Sequence, residues 1–247
     1  MKIDKYVFKR QEIKYKLTSA QYATVLQEVN KHLSVDEYGE TTIQSLYYDT
    51  DTWLLIRNSI EKPVYKEKIR ARSYGLATPD KEVFLELKKK CEKVVFKRRI
   101  SLKEKELAPF FNMGICVEKG QIEREIRYFC QFYGGLKPAM LLLYDRTAYH
   151  DYKLGTDLRI TFDRNIRYRT ECLDLCSGFD GTPLLPNGEI MMEIKTVGTY
   201  PMWLVHLLNG NRIYKTSFSK YGTAYQMEMQ AQNKQQNKYI FTEEKAV

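Results

Sequence analysis

The sequence predicts an α+β fold, a mainly antiparallel sheet of about eight strands with helices inserted between them. Three observations carry this. Segments in which apolar and polar residues alternate with period two recur along the chain and give way to stretches with helical spacing. Most neighbouring strand candidates are joined too closely for the crossover that a parallel pair requires. No Pro/Gly/Ser-rich linker divides the 247 residues, a length that suits one large domain or two small ones. One domain over residues 1–230 is therefore expected, with a polar, Gln/Asn/Lys-rich and frayed tail over 231–247.

In chain order, Val7–Leu17 alternates and reads as a strand. Thr18 can cap a helix through about His32, with Tyr22, Val25, Leu26, Val29 and Leu33 at helical spacing. Thr42–Tyr48 is rich in strand formers, and a cap at Asp49–Thr52 introduces a short helix carrying Trp53, Leu54 and Ile60. Tyr65–Ser73, Val83–Lys90 and Val94–Leu102 alternate as strands. Helical material over 103–133 follows, split at Met113–Gly114, its stronger half being Gln121–Phe132. Ala139–His150, Leu158–Tyr168 and Ile190–Thr196 complete the strands, the last two joined by a Gly/Pro/Asp-rich loop over Ser177–Gly188. Pro201 opens a helix at its first turn; Ser217 or Ser219 can cap a last one through about Ala231.

The strands share an unusual pattern. Successive residues face opposite sides, and one side of each is charged: Arg10, Glu12 and Lys14; Lys66, Lys68, Arg70 and Arg72; Glu82, Glu86, Lys88 and Lys90; Lys97 and Arg99; Arg146; Arg159 and Asp163; Glu193 and Lys195. Three strands repeat an E-x-K pair: Glu12/Lys14, Glu86/Lys88 and Glu193/Lys195. A solvated outer face is the ordinary explanation for any one strand. For the set, the opposite faces are apolar and suited to cover by helices. If the sheet closes into a barrel with helices outside, the charged faces point inward, where Lys and Arg need a polyanion or counter-ions to balance them. Such a lining suits a metal-bound phosphate chain: guanidinium and ammonium donors for its oxygens, carboxylates for Mg²⁺ or Mn²⁺.

Composition sets limits on the rest. The formal charge is +9 from 40 basic and 31 acidic residues, with 43% hydrophobic content, which describes a globular chain. No apolar run approaches a membrane span and the first residues lack an apolar signal core, so a cytoplasmic protein is expected. The five cysteines are scattered, and Cys172/Cys176 has no second close pair to make a zinc site. His32, His150 and His206 are isolated, and Trp53 and Trp203 lie on apolar helical faces. By alternation Lys89 belongs to the opposite side from Lys88 and Lys90, outside the site. No Gly-rich phosphate loop, kinase signature or Ser-His-Asp arrangement is visible.

Nine short motifs in order now carry a resemblance: RQEIK at Arg10–Lys14, SLYYDT at Ser45–Thr50, KIRAR at Lys68–Arg72, FLELK at Phe84–Lys88, KRRI at Lys97–Ile100, YDRTAY at Tyr144–Tyr149, RITFD at Arg159–Asp163, MEIK at Met192–Lys195 and SFSKY at Ser217–Tyr221. Over roughly residues 5–225 the chain resembles the VTC domain, the polyphosphate polymerase domain of the vacuolar transporter chaperone complex, within the triphosphate tunnel metalloenzymes. The compact form is similar to the free-standing bacterial versions.

The resemblance implies a closed, mainly antiparallel eight-stranded β-barrel (a tunnel) with helices packed outside. It implies transfer of the ATP γ-phosphate to a growing polyphosphate chain with Mn²⁺ or Mg²⁺. The phosphate-binding set it implies is Lys14, Arg70, Arg72, Lys88, Arg99, Arg146, Arg159 and Lys220. Arg10, Lys68, Lys97 and Lys195 are expected to join them in binding the nucleotide, with Ser219 and Tyr221 contributing hydroxyls. Glu193 is the leading metal ligand. Glu12 and Glu86 sit where other tunnel enzymes bind metal, with ion pairing to neighbouring Lys and Arg as the alternative. Catalysis would consist of positioning and charge neutralisation, without a covalent enzyme intermediate. Water in place of the acceptor would make the same site a hydrolase of tripolyphosphate or nucleoside triphosphates. A non-catalytic polyphosphate-binding module and a basic nucleic-acid binder are the remaining readings, nucleic acid being the less expected partner. ATP and polyphosphate are the expected ligands, and a separately encoded membrane protein is a further expected partner, by family analogy.

Overall fold

The computed structural model describes residues 10–92, 94–113, 120–152, 157–185 and 187–243. Among these are ten strands and six α-helices. They are β1 (Arg10–Leu17), α1 (Ser19–His32), β2 (Ser34–Asp49), α2 (Leu54–Ile60), β3 (Tyr65–Tyr74), β4 (Glu82–Cys91), β5 (Val94–Lys103), α3 (Leu107–Met113), α4 (Gln121–Tyr133), β6 (Lys137–His150), β7 (Arg159–Arg169), β8 (Thr182–Pro183), β9 (Ile190–Val197), α5 (Met202–Gly210), β10 (Lys215–Thr216) and α6 (Lys220–Glu243). A 3₁₀ turn, Glu104–Glu106, precedes α3.

The strand order is β10-β1-β9-β7-β6-β2-β3-β4-β5, with β8 beside β7. The ladders β1–β9, β1–β10, β7–β9, β3–β4 and β4–β5 are antiparallel, and for β3–β4 and β4–β5 the short connections require it. The ends of this order carry no further ladder among the described residues. Hydrogen bonding therefore does not close the sheet, and the barrel expected from the sequence is matched only as a large antiparallel sheet with helices.

The described chain gathers into two compact units. One draws on residues within 1–43, 143–167 and 185–217, the other on residues within 44–142, 168–184 and 218–247. The first holds α1, α5, β1, β9 and β10 with most of β7 and parts of β2 and β6. Its core joins Leu17, Val25, Val29, Ile160, Phe162, Met192, Ile194 and Leu204, each fully buried. The apolar stripe of α1 supplies Val25 and Val29, and Thr18 starts the helix with a reciprocal cap: its Oγ1 accepts from the Gln21 N–H at 3.2 Å while its own N–H donates to the Gln21 side chain at 3.1 Å. Phe162 meets Tyr22 and Tyr149 edge-on.

In the second unit Ile69, Ala71, Val83, Leu85 and Leu87 are buried, while Lys68, Arg70, Arg72, Phe84 and Glu86 between them stay half-exposed. The apolar side is the one met by α4, whose Ile126 and Phe129 are buried and whose Glu125 accepts from Arg98 Nε at 2.6 Å. Lys89 lies on that side too, opposite Glu67 in register and 3.5 Å from its carboxylate, which removes it from the basic face as alternation predicts.

Differences from the sequence reading have local causes. The first strand is described from Arg10; residues 7–9 and Gly114 of the expected helical break lie outside the described residues. Strand β2 begins at Ser34 rather than Thr42, because Ser34–Thr41 is polar and largely exposed and so carries no apolar alternation. Pro201 is the N-cap of α5 rather than its first-turn residue. Helix α6 does not stop near Ala231 but runs to Glu243, through the segment expected to fray; its Gln, Lys, Met and Glu residues favour helix without needing an apolar stripe. No helix among the described residues is long and apolar enough to cross a membrane.

Truncating Phe162 to Ala is expected to lower unfolding free energy by about 3–5 kcal/mol, since its ring is fully enclosed by the first unit's core. Urea denaturation checks this; a loss under about 1 kcal/mol would show that the site collapses around the gap.

Candidate phosphate-binding site

In the second unit the register aligns the charged residues into rows. Arg70, Glu86 and Arg99 face one another across β3, β4 and β5. Glu86 accepts from Arg70 Nε at 2.8 Å and from Arg99 through Nε (3.0 Å) and Nη2, and Arg72 Nη2 lies 3.6 Å away. Burial pushes the Glu86 carboxyl up, but Arg70 and Arg99 outweigh it and hold it below the usual range. Glu86 is thus the neutralising carboxylate of an arginine cluster, the ion-paired alternative raised for it above. Arg70 also donates from Nη1 to the Tyr47 hydroxyl at 2.9 Å, and Arg99 lies 4.6 Å over the Phe84 ring. Arg72 Nε is buried and has no hydrogen-bond partner.

The next row in register consists of lysines. Lys68, Lys88 and Lys97 are direct cross-strand neighbours, and beyond them Lys66 pairs with Lys90. Like charges placed opposite one another destabilise a sheet. Lys66 itself is held below its usual range, first by burial and then by the positive charges of Lys90 and Lys62. At one end of the row Lys68 Nζ reaches Ser219 Oγ at 3.2 Å. Ser219 also caps α6, its Oγ accepting from the Gly222 N–H at 3.2 Å. Any Cβ at Gly222 would lie 3.3 Å from that side chain, so glycine allows the close cap. Lys220 is the first residue of α6. The Tyr221 hydroxyl, expected to bind phosphate, donates instead to Asp49 Oδ2 at 2.9 Å, and only 2% of the residue is exposed.

The first unit holds a second grid. Glu12 and Lys14 on β1 face Lys195 and Glu193 on β9, which face Arg159 and Thr161 on β7. Lys195 Nζ lies 2.6 Å from Glu193 Oε1 and 3.8 Å from Glu12 Oε2; Lys14 Nζ is 3.9 Å from Glu193 Oε2. Burial raises the Glu193 carboxyl, but Lys195, Lys14 and Arg146 outweigh it and pull it to about 2. Arg146 and Asp163 form a two-pronged pair at 2.6 and 2.7 Å, with Arg146 also 5.2 Å over the Tyr144 ring. Arg159 sits 3.7 Å from Asp36. Thr161 Oγ1 is buried without a hydrogen-bond partner, beside Glu193 in register. Arg10 opens β1 opposite Val197.

The expected residues thus fall into two groups. Lys68, Arg70, Arg72, Glu86, Lys88, Lys97, Arg99, Ser219, Lys220 and Tyr221 belong to the second unit, and Arg10, Glu12, Lys14, Arg146, Arg159, Glu193 and Lys195 to the first. Sequence reasoning passed over Lys66 and Lys90 as site members, although alternation had put them on the right face. It also passed over Asp163, Tyr47 and Asp49, whose partners lie 17, 23 and 172 residues away.

No group of three or more His, Cys, Asp or Glu side chains able to hold a metal occurs among the described residues. Glu86 is enclosed by guanidiniums and does not fit the role of ligand. Glu193 and Glu12 are ion-paired as well, both with Lys195 and Glu193 also with Lys14.

The family model for the VTC domain matches residues 9–229. Among solved structures, a proposed adenylate cyclase from Bacillus halodurans superposes with a TM-score of 0.52 at 13% identity, covering 85% of this chain and 95% of that one. A proposed adenylate cyclase from Vibrio parahaemolyticus (TM-score 0.45, 10% identity, 88% and 98% covered) and a Pyrococcus horikoshii protein (0.43, 13%, 88% and 99%) score below the level at which a shared fold follows. The Bacillus likeness shows the fold alone. No curated protein is similar enough in sequence to count as a relative.

Replacing Asp163 by Ala leaves the largely buried Arg146 guanidinium, 19% exposed, without its carboxylate. The expected loss in urea denaturation is about 3–5 kcal/mol, whereas replacing both, Arg146→Met with Asp163→Leu, comes out neutral or more stable. A double variant as unstable as the single one would show that the pair itself, and not the orphaned charge, carries the stability.

Proposed function

This chain belongs to the VTC domain family, and from that premise we propose that it binds inorganic polyphosphate and extends it with the γ-phosphate of ATP. The observation that carries the reading is the row of Lys68, Lys88 and Lys97, lysines set directly opposite one another across β3, β4 and β5 and next in register to the Arg70, Arg72 and Arg99 cluster. A row of that kind weakens the folded sheet, and a bound polyanion is what would relieve it. An isolated anion needs one such residue; five lysines in adjoining rows suit a chain of regularly spaced charges.

In this proposal the two residue types divide the work. Arg70, Arg72 and Arg99, fixed around Glu86, present planar donors in a set geometry suited to the reacting triphosphate. Lys66, Lys68, Lys88, Lys90 and Lys97 are flexible point charges that can follow a chain as it moves. Lys14, Arg146, Arg159 and Lys195 are assigned to phosphate oxygens in the same way, and Ser219 and Lys220 with them. An oxygen of the terminal phosphate of the acceptor attacks the γ-phosphorus; the bond to the β–γ bridging oxygen breaks, and ADP leaves with that oxygen's electron pair. The acceptor oxygen is already ionised at neutral pH, so no side chain need act as a strong base. Glu193, with Glu12, would hold a divalent ion that neutralises phosphate charge. Closure of the strands into a tunnel belongs to the same proposal.

Purified protein incubated with ATP and Mn²⁺ is expected to form long-chain polyphosphate, and Arg70→Ala to reduce the yield by about 10²-fold or more, the effect of removing one preorganised donor. Orthophosphate release without chain growth would make the protein a hydrolase instead. Lys88→Gln supplies a check that does not depend on turnover. Tripolyphosphate should raise the melting temperature of this variant less than that of the parent; an equal rise would take the lysine row out of the site.

A further inference from the structure

Asp49 is fully buried, a position that a carboxylate tolerates only when donors surround it. Its Oδ1 accepts from the backbone N–H groups of Thr50 and Leu55, both at 2.9 Å; its Oδ2 accepts from the Ile56 N–H at 3.0 Å and the Tyr221 hydroxyl at 2.9 Å. Two of these donors are unpaired N–H groups at the start of α2, whose own N-cap residue, Trp53, has a left-handed backbone and gives no side-chain cap. Asp49 therefore locks the N-terminus of α2 to Tyr221 in the first turn of α6. The Tyr221 ring in turn stacks on Tyr47, with centroids 4.2 Å apart and planes 19° apart. Tyr47 accepts from Arg70 at 2.9 Å, and Lys68 Nζ lies 5.8 Å over the Tyr221 ring while bonded to Ser219.

Both cations at the centre of β3 consequently rest on Tyr221, Lys68 directly and Arg70 through Tyr47. Lys and Arg side chains lose much rotamer freedom when a ligand fixes them, and a prior scaffold moves that loss into folding. We infer that Asp49, Tyr221 and Tyr47 are positioning residues that hold Lys68 and Arg70 ready for tripolyphosphate or polyphosphate, and that the Tyr221 hydroxyl serves Asp49 and not the phosphate. This inference rests on the polyphosphate reading above.

Calorimetric titration of tripolyphosphate at several salt concentrations, with thermal melts alongside, tests it. Tyr221→Phe keeps the ring stack and removes only the bond to Asp49; Tyr47→Phe removes only the hydroxyl that accepts from Arg70 Nη1 and leaves Asp49 untouched. Each should weaken binding by about 3- to 10-fold, the effect of one hydrogen bond, without changing the slope of log affinity against log salt. Arg70→Ala should reduce that slope by about one ion, because it removes a charge that meets phosphate. Unchanged affinity in both Phe variants well below their melting temperatures, even with lowered melting temperatures, would reduce the network to a purely structural one and overturn the inference. Failure of the parent protein to bind tripolyphosphate at all would overturn the polyphosphate reading, and this inference with it; binding that is lost in Arg70→Ala but kept in both Phe variants would overturn the inference alone.

Discussion

The register that sets lysine opposite lysine across β3, β4 and β5 is the constraint around which the second unit is built. The residues on either side of each lysine face the other way, so the charged rows cannot be separated from the apolar set behind them: Ile69 and Ala71 on β3, Leu85 and Leu87 on β4, Ile100 on β5. A slip of one residue in register would turn Lys68 and Lys88 towards α4 and Leu87 to the opposite side. The burial that holds the strands together therefore also dictates that lysine faces lysine. The sheet accepts a modest local penalty because slipping out of register would cost far more.

Charge is handled differently elsewhere, and the contrast is informative. Glu86 contacts three guanidiniums at once, and Asp163 engages Arg146 through both oxygens. Lys195 lies between Glu193 and Glu12 and compensates both. Glu193 stays ionised despite its burial because Lys195, Lys14 and Arg146 surround it. These clusters also show why a metal-ligand motif is ambiguous in sequence. The same E-x-K spacing yields a carboxylate enclosed by arginines at Glu86 and one flanked by lysines, with a buried Thr161 hydroxyl beside it, at Glu193. The neighbouring strands decide between them.

Much of this was legible in the sequence, because period-two alternation is local. The faces of β3, β4, β5, β7 and β9, the exclusion of Lys89 and the caps at Thr18 and Ser219 all follow from residues within one element or its immediate flank. What could not be read depends on contacts that alternation does not encode. Nothing near Tyr221 announces a carboxylate 172 residues earlier, so its hydroxyl looked like a phosphate donor when it caps a buried acid. Asp49 itself was legible as a helix cap, but its second role was not. The first half of β2 escaped because neither of its faces is apolar, and the far part of α6 because helix propensity persists where amphipathic patterning fades.

The division between arginine and lysine rows bears on the chemistry such a surface suits. A guanidinium held by a carboxylate has few ways to reorient, so it rewards a ligand whose oxygens arrive in one geometry, as at a reacting phosphorus. An ammonium on a four-carbon stem loses little when one phosphate replaces the next, provided that the charge spacing repeats. Adjoining rows of the two kinds thus favour a ligand that is held firmly at one point and loosely along its length. A compact trianion would use the arginines and leave most of the lysine repulsion in place; a long chain relieves both. The proposal of an extended ligand therefore draws its support from the lysine rows more than from the arginine cluster.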